Sequence, residues 1–208
     1  MGAEAETLAQ PGPGRPRSPA ADRAIRDATV DLLAGVGYAN LTMCGVASAA
    51  GVSTATLYRR WRSKLDLVVA VLQARADEWP IPDTGSLAGD CRQLLRALVT
   101  SVLTSSSGSV MAGLVGEIAR NPELAEAFRT SLVAPRRQAL AEMLERARVR
   151  GELRPGVDYD LVADLLYGPI HNRMMVSGLP VDADLADRLA DLVLRAIALD
   201  PGTKAGTS

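Results

Sequence analysis

From Asp22 onward, apolar residues recur at spacings of three and four: Ile25, Ala28, Leu32, Leu33 and Val36. That period predicts a helix. Gly37 is its natural stop, because glycine takes the left-handed conformation past a helix end without steric cost. Thr42 then opens a short helix to Ala50, with Val46, Ala47 and Ala50 along its apolar side. Gly51 breaks it, Val52 follows, and Ser53 caps a second short helix over Thr54 to Trp61. The next helix starts on SKLD, residues 63–66, a Ser-x-x-Asp form of the capping box, and runs through Leu67, Val68, Val71 and Leu72. WPIPDTGS, residues 79–86, carries two prolines and marks a domain boundary.

Every later segment also reads as helix. Leu87 to about Leu103 is one, and SSSG at 105–108 separates it from a short one around Val110 to Ala119. NPEL at 121–124 is a strong start: Asn as cap, Pro at the first helical position, Glu in the first turn. Pro135 should kink or divide that helix, which resumes to Arg150 and ends at Gly151. Asp158 caps a helix to about Ser177 whose middle is disturbed by Gly168-Pro169, and Asp182 or Asp184 begins the last helix, to about Leu199. With no convincing strand pattern and no internal repeat, the expectation is an all-α protein of about nine helices.

Composition refines this picture. Aromatics make up only 3% of 208 residues, so Leu, Val, Ala and Met must build the core. Cys44 and Cys91 lie far apart in apolar helical patterns and are expected to be reduced small hydrophobes. No apolar run is long enough to span a membrane, and the N-terminus lacks a signal-peptide core, so a soluble cytoplasmic protein is expected. The net charge of −1 hides an asymmetry. Residues 15–64 carry eight Arg or Lys against three Asp, a net of +5, whereas residues 65–208 carry fifteen basic and nineteen acidic residues, a net of −4. A basic head on an acidic body points to a polyanionic partner.

The chemistry of catalysis is poorly supplied. His171 is the single histidine, so a histidine-based metal site or triad is poorly supplied. No phosphate-binding glycine pattern occurs, and Glu142 and Glu145 read as solvated residues of one helix face. No catalytic residue, metal or cofactor is expected.

GVSTATLYRRW, residues 51–61, reads differently. A helix, a tight turn carrying Gly51 and a second short helix form a helix-turn-helix. Val52 can plug the angle between the helices, with Ala47 small enough for close approach. Leu57 and Trp61, four apart, face inward. Thr54, Ala55, Thr56, Tyr58, Arg59 and Arg60 are left on the accessible sides. The helix N-terminus at Ser53 favours phosphate, and Arg can read guanine edges in a major groove.

Residues 37–72 together resemble the DNA-binding domain of TetR-type transcriptional regulators. The resemblance rests on Gly37-Tyr38, Thr42, Val46-Ala47, Ala50-Gly51-Val52-Ser53, Thr56-Leu57-Tyr58, Trp61 and Ser63-Lys64. It implies that Thr42 holds a phosphate, that Thr54, Ala55, Thr56 and Arg59 approach bases, and that Tyr58, Arg60 and Lys64 grip the backbone. Arg15 and Arg17 would form an arm reaching the minor groove or flanking phosphates. Gly45, inside the second helix, departs from the pattern and costs about 1 kcal/mol of helix propensity against Ala.

The resemblance also implies an organisation. Residues 1–19 would be a disordered basic arm, 20–66 the DNA-binding head and 67–82 a connecting helix. Residues 83–200 would be a ligand-binding and dimerisation domain, and 201–208 a disordered tail. Residues 158–182 and the helix after them are similar to a subgroup whose last two long helices pair across a two-fold axis. Leu161, Leu165, Leu185, Leu189, Leu192 and Val193 are the candidate interface. Leu98, Val102, Met111, Val115, Phe128, Met143, Tyr167, His171 and Met174 are the candidate lining of an effector pocket, suited to a flexible, largely apolar small molecule. The implied partners are a palindromic operator in double-stranded DNA, a second copy of the chain and an effector that releases a repressor. A DNA-binding regulator without a ligand, controlled by expression or a protein partner, is the alternative, and an enzyme on the helical domain a remote one.

Overall fold

The computed structural model describes residues 19–77, 81–104 and 107–199; the basic arm with Arg15 and Arg17 lies outside them. Among the described residues there are ten α-helices and no strand. Helix α1 spans Pro19–Asn40, interrupted at Gly37, whose φ of 73° is the left-handed value that the sequence predicts there. Ile25, Ala28 and Leu33 are buried, as their spacing requires, but Val36 at the end of the series is exposed. Thr29 is also fully buried, and its hydroxyl donates to the Ile25 carbonyl at 2.7 Å, which removes the cost of burying it.

Helix α2 is Met43–Ala49 and α3 is Thr54–Tyr58, one turn shorter than its expected end at Trp61. Arg60 N and Trp61 N both donate to the Leu57 carbonyl, so the chain tightens into a turn there. Helix α4, Lys64–Asp77, starts on the expected capping box: Ser63 N donates to Asp66 Oδ2 and Asp66 N donates to Ser63 Oγ, each at 3.1 Å.

The rest comprises α5 (Leu87–Thr104), α6 (Ser107–Ile118), α7 (Pro122–Phe128), α8 (Ala134–Val149), α9 (Tyr159–Asn172) and α10 (Ala183–Ile197). Asn121, Asp158 and Asp182 cap α7, α9 and α10 through their side-chain oxygens. Pro135 does not divide its helix. A π-helical turn over Arg129–Val133 joins α7 to α8 as one rod, so ten helices form nine rods. A second π-turn, Arg173–Ser177, extends α9 four residues after Pro169. Each proline lacks the N–H that an unbroken α-helix would use, and the wider turn nearby absorbs the mismatch.

Two buried clusters organise these rods. One joins α5, α8, α9 and α10 around Leu95, Leu140, Leu144 and Leu166. The other holds the head, with Ile25, Leu33, Leu57 and Leu67, but continues into α6 and α7 through Val110, Leu114 and Leu124, and into the first π-turn through Leu132. The core of the head therefore continues past the proline-rich segment, and α6 and α7 complete it. Losing one such fully buried leucine to alanine costs about 2–5 kcal/mol.

Beyond the boundary, fully buried Asp90 fixes the start of α5 by accepting from Thr84 N at 2.6 Å and Thr84 Oγ1 at 2.7 Å, with Arg150 Nη2 at 3.6 Å. Both cysteines are free thiols. Cys91 is buried, which pushes its pKa up to about 12, whereas Cys44 is exposed on α2, against expectation. No described helix is long and apolar enough to cross a membrane.

Helices α1 and α6 cross closely at Gly113. A Cβ there would lie 3.5 Å from the Leu33 carbonyl and 3.9 Å from Gly37 Cα, an ordinary van der Waals fit. Gly113→Ala is thus expected to raise stability by about 1 kcal/mol through helix propensity alone. Urea unfolding measures it, and a loss of stability would mean that the crossing has no room for a methyl group.

Candidate nucleic-acid interface and internal cavity

The α2–turn–α3 unit is built as the sequence requires. Gly51 has a φ of 64°, and Val52 N donates to the Ala47 carbonyl at 3.0 Å, which folds the chain back against α2. Ala47 and Leu57 are buried and Val52 and Trp61 partly so. Ser53 caps α3 by accepting from Thr56 N at 3.2 Å.

Ser53, Thr54, Ala55, Tyr58 and Arg59 are exposed together on one surface. Thr56 is half-buried, with its hydroxyl 2.9 Å from that of Ser53. Thr42 is exposed and caps α2, accepting from Gly45 N at 3.0 Å. This leaves its O–H proton available to a phosphate oxygen. The cap also explains Gly45: a Cβ there would come within 3.0 Å of Thr42 Oγ1, whereas its nearest atom on α1, Leu32 Cδ1, is 4.0 Å away. Arg62, which was not among the expected contacts, is exposed in the turn after α3. The run RRWR at 59–62 was the available signal.

Two of the expected backbone contacts have partners within the protein. Arg60 pairs through Nη1 with Asp22 Oδ1 on α1, and its side chain is 16% exposed. The sequence had placed it outward; the shortening of α3 turns it toward α1. Lys64 Nζ donates to the carbonyls of Tyr38 at 2.9 Å and Ala39 at 3.3 Å and sits 4.4 Å from the centre of the Tyr38 ring. It caps the end of α1, where the carbonyl dipoles favour a cation.

Behind the head lie two adjoining cavities. The inner one, about 70 Å³, is apolar except for Arg136 and His171. The candidates Leu98, Val102, Met111 and Met174 line it, and its floor is Val30 of α1 with Val71 and Leu72 of α4. The outer one, about 430 Å³, is lined by the candidates Met111, Val115, Phe128, Tyr167 and His171, and also by Arg137 and Asp164. Met143 is the exception: it is fully buried in the α5–α8–α9–α10 core and lines neither cavity. The sequence missed Arg136, which both cavities share. Its burial lowers the guanidinium's pKa, opposed by the Tyr167 hydroxyl. His171 is held low, first by burial and then by the charge of Arg136, so its imidazole is neutral near pH 7. The Tyr167 hydroxyl is raised by burial. Arg137 ties α8 to α9: it donates to Asp160 O at 3.0 Å, to Asp160 Oδ1 at 2.9 Å, and to Asp164 Oδ1.

The candidate dimer residues divide by face. Leu161 and Leu165 on α9 and Leu192 on α10 are 56%, 43% and 61% exposed. Leu185, Leu189 and Val193 point into the protomer's own core and are unavailable to a partner. The sequence could not choose between two leucine-bearing faces of α10; packing against α5 takes one of them.

A helix-turn-helix presented by a helical body is the architecture of a DNA-binding transcriptional regulator. The pattern described as "Bacterial regulatory proteins, tetR family" matches residues 25–71, and "Tetracyclin repressor-like, C-terminal domain" matches residues 81–193. The uncharacterized HTH-type transcriptional regulator YdeS of Bacillus subtilis is 36% identical over 184 residues, 88% of this chain and 91% of its own. The crystal structure of the TetR family regulator SCO0332 superposes with a TM-score of 0.69 at 33% identity, over 84% of this chain and 97% of that one. FadR from Bacillus subtilis in complex with stearoyl-CoA shares the fold at a TM-score of 0.72 and 17% identity, over 83% and 97%. The chain belongs to the TetR family of transcriptional regulators, which are not enzymes.

Lys64→Ala is expected to cost about 1–3 kcal/mol of stability, because charge-assisted hydrogen bonds at the end of α1 are lost. Thermal or urea unfolding reads this. Unchanged stability with weakened DNA binding would instead free Lys64 for a phosphate.

Proposed function

We propose that this regulator is a cytoplasmic homodimeric repressor that binds a palindromic operator and is released by a small molecule. Each α2–α3 unit enters one major groove. Thr54, Ala55, Thr56 and Arg59 approach bases, Ser53 and Thr42 meet phosphate, and Tyr58 grips the backbone. Arg62 takes the outward cationic place that the sequence gave to Arg60. Arg15 and Arg17, outside the described residues, remain candidates for an arm on the flanking DNA. One short helix reads few bases, so a two-fold pair on successive grooves is needed for affinity. The exposed Leu161, Leu165 and Leu192 support a helical dimer face on α9 and α10.

The observation that carries release is the floor of the inner cavity. Val30, Val71 and Leu72 belong to α1 and α4, the helices that hold the recognition unit. A molecule seated there touches the head directly, and one that fits only the non-binding arrangement shifts the equilibrium away from DNA. That fold neighbours include a complex with stearoyl-CoA supports a cavity able to take ligand. The volume of the outer cavity, about 430 Å³, favours this reading over a regulator without an effector.

Operator fragments recovered from genomic DNA by the purified protein supply the assay. Tyr58→Ala with Arg59→Ala is expected to weaken operator binding roughly a hundredfold, about 2.7 kcal/mol, with the dimer intact. Unchanged affinity would move the recognition surface elsewhere. Leu161→Asp with Leu192→Asp is expected to give monomers at micromolar concentration by sedimentation, and a persistent dimer would place the interface on another face.

A further inference from the structure

The charged groups of the outer cavity are occupied with the protein. Arg137 donates to Asp160 beside the cavity and to Asp164 in its wall. Arg136, in the same wall, also interacts with the protein. These two guanidiniums and two carboxylates sum to no net charge, and none of the four is an unclaimed seat for an ion.

Two other polar side chains stand differently. Tyr167 and His171 lie one turn apart on α9, and both line the outer cavity. That spacing puts them on one face of the helix, with Cβ atoms about 5–6 Å apart. Among the described residues, no group forms a hydrogen bond with the Tyr167 hydroxyl or with either ring nitrogen of His171. Burial raises the pKa of the Tyr167 hydroxyl, which keeps its proton. Burial, and then the charge of Arg136, holds His171 low, so its ring is neutral near pH 7. One imidazole nitrogen therefore donates and the other accepts, and the phenol can do both. The apolar wall around them includes Phe128, Met111 and Met175. Thioethers beside a phenyl group favour an aromatic ring.

These neighbours separate the ligand chemistries. A cation finds Asp164 already bonded to Arg137, and an anion finds both guanidiniums engaged. A wholly apolar molecule strips water from Tyr167 and His171 and returns no hydrogen bond to either. A neutral hydroxyl donates to one and accepts from the other, whichever imidazole nitrogen carries the proton. We propose that the outer cavity binds an uncharged aromatic molecule whose hydroxyl is held between Tyr167 and His171 and whose ring lies against Phe128. This rests on reading the cavity as the effector site, and adds the chemical class and the residues that select it. His171 also belongs to the inner cavity, so the anchored oxygen sits where the two spaces adjoin, next to the chamber floored by α1 and α4.

The test uses the full chain with para-propylphenol, para-propylbenzoate, para-propylbenzylammonium and propylbenzene at equal concentrations. Melting temperature without DNA and affinity for the recovered operator fragment are both measured. The phenol is expected to raise the melting temperature by several degrees and to weaken operator binding roughly tenfold. The benzoate and the ammonium should do neither, and propylbenzene should give a smaller shift than the phenol. Tyr167→Phe combined with His171→Phe keeps two rings in the wall and removes both hydrogen-bonding groups. It should erase the advantage of the phenol over propylbenzene, roughly tenfold in affinity, while propylbenzene binds as before. A purely structural role for the pair would weaken both ligands alike. An equal or larger shift with the benzoate or the ammonium, no shift with any of the four, or a phenol preference that survives the double variant overturns the proposal. If the double variant does not fold, Tyr167→Phe decides by the same comparison. A melting shift that needs Tyr167 and His171 but leaves operator binding unchanged would support the site and its ligand class, and would sink the release reading alone.

Discussion

The whole molecule depends on one apolar seam. Leu114 of α6 and Leu124 of α7 are buried among Ile25, Leu33, Leu67 and Val68 of the head. A head of four helices, two of them under eight residues, has little interior of its own, and it borrows a wall from the body. The seam also forbids independence: α6 cannot move without disturbing α1, against whose backbone Gly113 lies. Stability of the DNA-binding surface and its control from the body are consequences of the same contacts.

Much of this was legible in the sequence because local chemistry dictated it. Ser63-Asp66, Asn121, Asp158 and Asp182 cap where side-chain oxygens can satisfy free N–H groups. Gly37 and Gly51 turn where positive φ is needed. The recognition unit was readable for the same reason: its geometry is set by neighbours within about ten residues. The pocket lining was largely readable too, since apolar residues on the faces of α5, α6 and α9 have few places to go.

What escaped was decided by contacts distant in sequence. Arg60 and Lys64 sit in a basic run, and nothing local announces their partners on α1: Asp22 and the carbonyls of Tyr38 and Ala39. Leu185 and Leu192 lie on the same helix, and only the packing of α10 against α5 separates core from surface. Met143 and Arg136 show the reverse error. An apolar residue was assumed to line a cavity and a charged one to avoid it, and their places on α8 exchange the two roles. Periodicity tells which residues share a face, but not what the face meets.

The two π-turns give the cavity a particular mechanical character. Leu132 comes from one and Met174 from the other, and both stand in the inner wall. A π-turn holds one surplus residue within a helix, and its hydrogen bonds can pass to neighbouring acceptors without unwinding the rod. The wall is thus lined by register reserves: places where a helix can slide its side chains by a fraction of a turn while remaining a helix. Chamber volume becomes an adjustable quantity, set by where each surplus residue sits, in a protein whose rods otherwise pack as rigid solids.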